Sequence, residues 1–304
     1  MTSLLGHPLT KALFLVSAVI AGAVAVIAYW GEVAASLAAL PVGNVLGAVV
    51  ATLLYVLATM LCWRASLWDL GASLPGVDAG RLFFLSQIGK YIPGGVWNVV
   101  AVGEMGRDKG VPRRTSLSAM LVFWLVSVTT GLVVGTLYLL TSKGTVPGGI
   151  GWVVSVLVLG LVVLTPPVLR RLLTFGLRAL RRPPLVRQPT TKGLVVAVSW
   201  AVLGWAAAGM QVWLIASPMA SASVSPLAAV SGYALAWTAG FLVVVAPAGA
   251  GVREVVLGGL FSGSLSTGAV LTLVLISRLL ITLVDFALAG LAMVGRGQAG
   301  GDRS

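Results

Sequence analysis

The chain has 304 residues, of which 58% are apolar and only 9% are charged. Apolar runs of about 20 residues recur along it, which is the length that a helix needs to cross the hydrocarbon core of a membrane. A membrane β-barrel would show short alternating strands instead. The sequence therefore predicts an all-α polytopic membrane protein, with residues 1–304 forming a single integral membrane domain.

The formal net charge of +12 does not indicate nucleic-acid binding, because the basic residues are concentrated in loops between apolar runs. That placement is typical of cytoplasmic loops in membrane proteins. The single cysteine, Cys62, lies within an apolar run, and the single histidine, His7, precedes the first run. The composition therefore predicts no internal disulfide, no metal site and no cofactor.

In chain order, the apolar pattern predicts about six full spans and two shorter segments that dip into the membrane and return. The two dipping segments are interrupted by proline and glycine. A basic segment, 169–183, has leucines on one side of a helical wheel and arginines on the other, which is typical of a helix lying in the membrane interface. It links a first half, 1–140, to a second half, 149–295. The six spans are expected at about 12–30, 43–63, 115–140, 149–168, 193–216 and 268–294.

Each dipping segment places helix breakers and ionisable residues where hydrocarbon is expected. Irregular backbone at membrane depth requires protein or a water-filled cavity around it. Free N–H groups at helix ends favour anions, and Lys90 and Arg253 add positive charge nearby. A phosphate headgroup is therefore the expected guest. The predicted substrate-binding residues are Lys90, Tyr91, Pro93, Gly94, Gly95, Trp97, Pro247, Gly249, Gly251 and Arg253.

Four further ionisable residues, Glu104, Glu254, Arg278 and Asp285, are predicted to form ion pairs that gate the site, because buried charge is unfavourable unless paired or hydrated. A purely structural pairing of Arg278 with Asp285, or with Arg253 and Glu254, remains open. So does a solvated, cytoplasmic position for Glu104. The alternative for Lys90 is that its side chain reaches up to the membrane interface.

The distribution of charge predicts the topology. With both termini in the cytoplasm and the two segments entering from opposite sides, 16 of the 20 basic residues face the cytoplasm. Glu104 precedes Ala119 by the same interval that separates Glu254 from Ala269. These recurrences predict an inverted-topology repeat, the arrangement from which many transporters build alternating access.

The stretch Gly89-Lys90-Tyr91-Ile92-Pro93-Gly94-Gly95-Val96-Trp97 and the later run from Pro247 to Glu254 resemble the paired signatures of the lysylphosphatidylglycerol synthase transmembrane-domain family. The resemblance covers roughly residues 10–295. It implies the membrane flippase module of the bacterial multiple peptide resistance factor, here standing alone, since nothing in the chain corresponds to the soluble synthase domain of full-length relatives. Relatives of this kind also accompany glycosyltransferases, so the resemblance leaves a lipid-linked glycan open as substrate.

The expected function is a flippase of the cell membrane that moves an anionic or aminoacylated phospholipid, or a polyprenyl-linked glycolipid, between leaflets. The chain is not expected to be an enzyme. The alternative is an integral-membrane transferase, or an accessory subunit, that acts on a lipid-linked substrate. Membrane lipids are the expected partners, and a homo-oligomer or a partner glycosyltransferase is left open.

Overall fold

The computed structural model describes residues 23–91, 97–141, 150–179, 185, 187–243, 251–261 and 263–298. These residues are almost entirely helical. Residues 23–28 are helical, and a short 3₁₀ turn, Ile88–Tyr91, continues α3. The helices are α1 Trp30–Ala38, α2 Val42–Asp69, α3 Gly76–Gln87, α4 Trp97–Arg107, α5 Arg113–Thr141, α6 Ile150–Val163, α7 Pro166–Ala179, α8 Thr191–Ala216, α9 Pro226–Leu242, α10 Val252–Phe261 and α11 Thr267–Gln298.

Four of these helices, α2, α5, α8 and α11, are long and apolar enough to cross a membrane. A fifth crossing is formed if α6 and α7 are counted together, although the chain bends by 73° between them. The prediction of a polytopic α-helical membrane protein is confirmed. The first predicted span, 12–30, lies largely outside the described residues, so the count of six spans stays a prediction.

The first dipping segment is a helical hairpin formed by α3 and α4. Near its base, Lys109 Nζ lies 2.8 Å from Asp78 Oδ1, so the hairpin begins and ends at the same level. Near its tip, Gly89 packs against the backbone of Trp97 and Asn98. The segment therefore begins and ends at the same end of the helix bundle, which is the geometry of the predicted re-entrant hairpin.

The second dipping segment has the same form and is built from α9 and α10. The Ser221 backbone N–H, just before α9, donates a 2.9 Å hydrogen bond to the Ser264 carbonyl, just after α10. Further along the pair, Gly232 of α9 lies against the Phe261 ring at the end of α10. Entry and exit of this hairpin are therefore also adjacent.

The two hairpins enter from opposite ends of the helix bundle, as α11 shows. This helix starts directly after the base of the second hairpin, and near its other end Ala292 lines a cavity with Asp78 and Lys109, at the base of the first. Arginines and lysines from the ends of α3, α4, α5 and α8 collect around the first base, which we call the basic end. The second hairpin enters from the opposite end.

At that opposite end, α1 fastens the start of α11. The Gly268 backbone N–H donates a 2.8 Å hydrogen bond to Glu32 Oε2. This bond, together with one from the Ser266 hydroxyl, lowers the pKa of Glu32 because both stabilise the ionised carboxylate. A carboxylate at a helix N-terminus also interacts favourably with the helix dipole.

The pairing of α2 with α8 has the antiparallel geometry that the predicted inverted repeat requires. Asn44, at the start of α2, donates a 2.8 Å hydrogen bond to the carbonyl of Leu214, near the end of α8. At the other end of the pair, Asp69 Oδ2 accepts a 2.8 Å hydrogen bond from the Thr190 N–H just before α8. The two helices are therefore antiparallel. Because each is followed by a hairpin and a long helix, the two halves have opposite orientations in the bundle.

The interhelical contacts follow the same symmetry. The hairpin helix α3 packs against α11, and its counterpart α9 packs against α5. The predicted correspondence between Glu104 and Glu254 is not reproduced, because Glu104 lies near the C-terminal end of α4 whereas Glu254 lies in the first turn of α10. The equal intervals from Glu104 to Ala119 and from Glu254 to Ala269 therefore do not mark equivalent positions in the two halves.

The predicted interfacial helix is α7, which begins at Pro166 and turns sharply away from α6. Leu169, Leu173 and Leu177, from the predicted leucine side, are buried against the bundle. Leu172, assigned to the same side, is instead 42% exposed, and Phe175 is 74% exposed. The buried stripe follows the spacing i, i+4, i+8, so Leu172 falls beyond its edge. Residues 180–184, which include the predicted end of the helix, lie outside the described residues.

Two small residues on α5 allow it to approach α9 closely. A Cβ built on Gly131 would come within 2.5 Å of the Thr238 hydroxyl oxygen of α9, and one on Gly135 within 2.5 Å of Leu235 Cγ. Between them, the Ser231 hydroxyl of α9 donates a 2.9 Å hydrogen bond to the Val134 carbonyl. The glycine pattern of this span therefore serves helix packing.

Substituting Gly135→Leu should separate α5 from α9, because the new side chain would occupy the space of Leu235. Overpacking of this kind typically lowers the free energy of unfolding by about 1–3 kcal/mol. Thermal melting of the detergent-solubilised protein would measure it, with Gly151→Leu as the control, since nothing lies within 4 Å of a Cβ at Gly151. Equal melting temperatures for the two variants would contradict the close packing of α5 and α9.

The hairpin geometry predicts opposite labelling of the two bases. In a Cys62→Ala background, Asp108→Cys and Gly263→Cys should each react with a membrane-impermeant maleimide, because both positions are exposed. They should react from opposite sides of sealed, oriented vesicles. Labelling of both from the same side would contradict the inverted arrangement.

Candidate functional site

The tip of the first hairpin is fastened to α11 by one carboxylate. Lys90 Nζ lies 2.6 Å from Asp285 Oδ2, and the Tyr91 hydroxyl donates a 2.6 Å hydrogen bond to the same oxygen. The Asp285 side chain is only 1% exposed, whereas that of Lys90 is 33% exposed. The carboxylate is thus enclosed by protein, and its cationic partner still reaches solvent.

Aromatic packing reinforces this contact. The Tyr91 ring stacks on the Phe286 ring with centroids 5.5 Å apart. The Lys90 ammonium also lies 5.4 Å from the Tyr91 ring centroid, within the range of a cation–π interaction. Asp285 and Phe286 are neighbours on α11, so two consecutive residues of that helix hold the tip of the first hairpin.

The second hairpin contributes Arg253 from the first turn of α10. Its guanidinium lies 5.9 Å from the Trp237 ring centroid. Arg253 Nε is buried and makes no hydrogen bond with protein in the described part of the chain. Trp237 stacks in turn on Phe241 at 5.1 Å, so an aromatic surface supports this side of the site.

Two tyrosines, one on α2 and one on α9, bring the first half of the chain against the second hairpin. The rings of Tyr55 and Tyr233 meet edge to face at 6.1 Å, with Tyr233 buried and Tyr55 half-buried. Tyr233 is within electrostatic range of Arg253, Arg278 and Asp285. Its hydroxyl is buried and has the Tyr55 hydroxyl as a neighbour within hydrogen-bonding range. The site thus joins parts of both repeats.

The described ionisable side chains of this cluster carry three positive charges, on Lys90, Arg253 and Arg278, and one negative charge, on Asp285. The balance is +2, and the sequence adds one further carboxylate, Glu254. Among the described residues no cluster of His, Cys, Asp or Glu has the composition of a metal site. The arrangement is therefore suited to an anion.

The structure assembles some of the predicted site residues and leaves others apart. Lys90, Arg253, Arg278 and Asp285 belong to one cluster. Glu104 does not, since it is half-exposed at the basic end, where it pairs with Arg113. This position matches the solvated alternative.

The remaining predicted residues surround the hairpin tips. Gly251 immediately precedes α10 with a φ of +83°, a conformation that favours glycine. Trp97 is the first residue of α4 and is 48% exposed. Pro93, Gly94, Gly95, Pro247 and Gly249 lie outside the described residues, as does the side chain of Glu254.

Sequence reasoning missed the aromatic part of the site. Tyr55, Tyr233 and Trp237 were not singled out, although a signal for Tyr55 existed. Tyrosines of membrane proteins are enriched at the two interfaces, whereas Tyr55 stands in the middle of a predicted span. A tyrosine at that depth needs a polar environment for its hydroxyl.

Substituting Asp285→Asn should destabilise the protein, because Lys90 would lose its counter-charge. Removing one partner of a fully buried pair costs about 3–5 kcal/mol. We expect about 2 kcal/mol for this pair, because partial exposure lets solvent screen Lys90. Equilibrium unfolding in detergent would measure this loss, and it should be smaller when Lys90→Met is already present. Additive effects of the two substitutions would contradict a direct pair.

Comparison with known proteins gives one family. The family model described as "Lysylphosphatidylglycerol synthase TM region" matches residues 13–289. No curated protein matches the chain. The matched region contains both hairpins, most of α11 and every site residue named above.

Proposed function

We propose that this chain, which belongs to the lysylphosphatidylglycerol synthase transmembrane-region family, is a flippase that moves a phospholipid or lipid-linked glycan between membrane leaflets. The proposed substrate carries a phosphate. A headgroup that is also aminoacylated still carries this phosphate, so it is included in the proposal. The observation that carries the proposal is the pair of re-entrant hairpins, which enter from opposite ends and bring Lys90 and Arg253 to one cluster around α11.

The two tips offer different surfaces to a phosphate. At the second tip, Arg253 Nε is a buried donor that lacks a protein partner among the described residues. Buried donors without partners are unusual in proteins. A phosphate oxygen would accept a hydrogen bond from this nitrogen, and the guanidinium would neutralise its charge.

At the first tip, Lys90 already has an anion bound, because the Asp285 carboxylate occupies it. A headgroup phosphate arriving from the basic end must compete with Asp285 for Lys90. Displacement would remove the ion pair from the attachment of the tip to α11, so that only the Tyr91 contacts with Asp285 and Phe286 would remain. The hairpin thus has two alternative states, one with Lys90 bound to lipid and one with Lys90 bound to Asp285. We include Arg278 and Glu254 in the proposed group of gating ion pairs.

The orientation follows from charge. We place the basic end in the cytoplasm, since cytoplasmic loops carry the excess of lysine and arginine. Both termini then lie in the cytoplasm. The membrane that we propose is the cell membrane. Assembly as a homo-oligomer or with a glycosyltransferase belongs to the same proposal.

Reconstitution tests the site. The protein would be incorporated into liposomes with a fluorescent phosphatidylglycerol, and movement between leaflets followed by dithionite quenching. Lys90→Ala and Arg253→Ala should each slow transport about 10- to 100-fold, because a hydrogen bond to a charged group contributes about 1.5–3 kcal/mol. Arg107→Ala removes the same charge at the exposed base of the first hairpin and should transport at the rate of the unmodified protein.

Two results would overturn the proposal. Unchanged rates for Lys90→Ala and Arg253→Ala would remove these residues from the lipid path. Extraction of the liposome lipids and mass spectrometry addresses the transferase alternative, because a transferase changes the mass of a lipid and a flippase changes only its leaflet. A new lipid mass that depends on the protein would favour the transferase.

A further inference from the structure

A second lipid-facing feature lies outside the hairpin site, at the basic end of the contact between α2 and α8. It is a groove of about 250 Å³ that is partly open to the surroundings. We call it the Arg64 groove. It is lined by Arg64, Trp68, Trp200, Leu61, Ala65, Ala72, Ser73, Leu74 and Val196.

Arg64 has few hydrogen-bond partners for a guanidinium that lies inside the end of a membrane-spanning helix. It lies five residues before the end of α2, or about 7 Å along the helix axis. A guanidinium has five N–H donors. Within the described residues it makes one long hydrogen bond, from Nη2 to the Leu74 carbonyl at 3.4 Å, and none of the salt bridges includes it.

The nearest carboxylate along the helix is already engaged. Asp69 is 3% exposed, and its oxygens accept hydrogen bonds from the Thr190 N–H and hydroxyl at 2.8 and 2.5 Å. The charge of Arg64 therefore requires an anion from outside the described chain, or water. At this distance from the helix end, the available anions are the phosphates of lipid headgroups.

The other lining residues fit the remainder of a phospholipid. Trp68 and Trp200 line the groove together with Arg64, and tryptophan is enriched at the level of headgroup and glycerol in membranes. Val196, Trp200 and Leu203 follow one face of α8, and Leu203 is 55% exposed. Leu54 of α2 lies farther from the basic end than Arg64 does, and it is 54% exposed. Acyl chains leaving the groove would therefore meet apolar surface.

We propose that the Arg64 groove binds an anionic phospholipid of the leaflet at the basic end, with its phosphate on Arg64 and its glycerol between the two tryptophans. This lipid stays bound and is separate from the lipid transported at the hairpin tips. It joins the end of α2, the segment before α3 and the start of α8, which are the elements that support the base of the first hairpin.

The test measures thermal stabilisation of the purified, delipidated protein by phosphatidylglycerol, with phosphatidylcholine and inorganic phosphate as comparisons. Phosphatidylglycerol should raise the melting temperature of the unmodified protein by several degrees more than phosphatidylcholine does, and phosphate alone should have no effect. Arg64→Gln should lose most of this difference. Arg107→Gln, which removes an exposed charge at the same end, should retain it.

A full shift in Arg64→Gln, or stabilisation by phosphate alone equal to that by phosphatidylglycerol, would overturn the proposal. If Arg64→Gln does not fold, Arg64→Lys decides, since lysine keeps the charge but loses the planar donor array. A several-fold weaker apparent affinity for phosphatidylglycerol supports the groove, and an unchanged affinity overturns it. Arg64→Gln should also keep its transport rate, so loss of transport in Lys90→Ala is a separate result.

Discussion

The structure depends on how one buried carboxylate is satisfied. Asp285 lies within an apolar helix, almost fully shielded from solvent, where an unpaired charge would be strongly unfavourable. It is stabilised by Lys90 and Tyr91, both from the tip of a hairpin that approaches from outside the helix. The position of that tip is thus set by electrostatics as well as by packing. An apolar residue at 285 would leave the tip without its strongest attachment to α11.

The hairpins themselves follow from a second constraint, that backbone polar groups at membrane depth must find partners. A helix that ends inside the membrane can do so only against protein or water. The antiparallel pair of α2 and α8 places one such end in each half of the bundle, and the tyrosines Tyr55 and Tyr233 lie where the halves meet. The polar centre is therefore a product of the inverted fold, because neither half contains it alone.

Much of this architecture could be predicted from sequence because it depends on patterns within short stretches of the chain. Apolar run length indicates the spans, proline and glycine mark the hairpin tips, and the placement of basic residues indicates their orientation. Lys90 and Asp285 could each be singled out as charges in apolar sequence. Their mutual pairing could not, because they are far apart in the chain and the nearer cation Arg278, two turns away on the same helix, offers an equally reasonable partner.

The same limit explains the other differences. Equal intervals suggested that Glu104 and Glu254 are equivalent, but interval length does not fix the helix on which a residue lies, and Glu104 proved to belong to the solvated base with Arg113. Leu172 follows the leucine pattern of α7 yet is exposed, because a narrow contact with the bundle buries only every fourth residue. Tertiary packing decides whether such a residue is buried or exposed, and a local sequence pattern does not contain that information.

The unequal fastening of the two tips would have a kinetic consequence in the proposed transport cycle. The first tip is held to α11 by an ion pair, whereas the arginine and the tryptophan near the second tip both belong to the second hairpin. Releasing the two tips would therefore have different free-energy costs, and the slower half of the cycle would set the turnover rate. Without an external source of energy, however, such asymmetry changes only how fast lipid equilibrates. The final distribution between leaflets would be the same as that reached by an evenly balanced carrier.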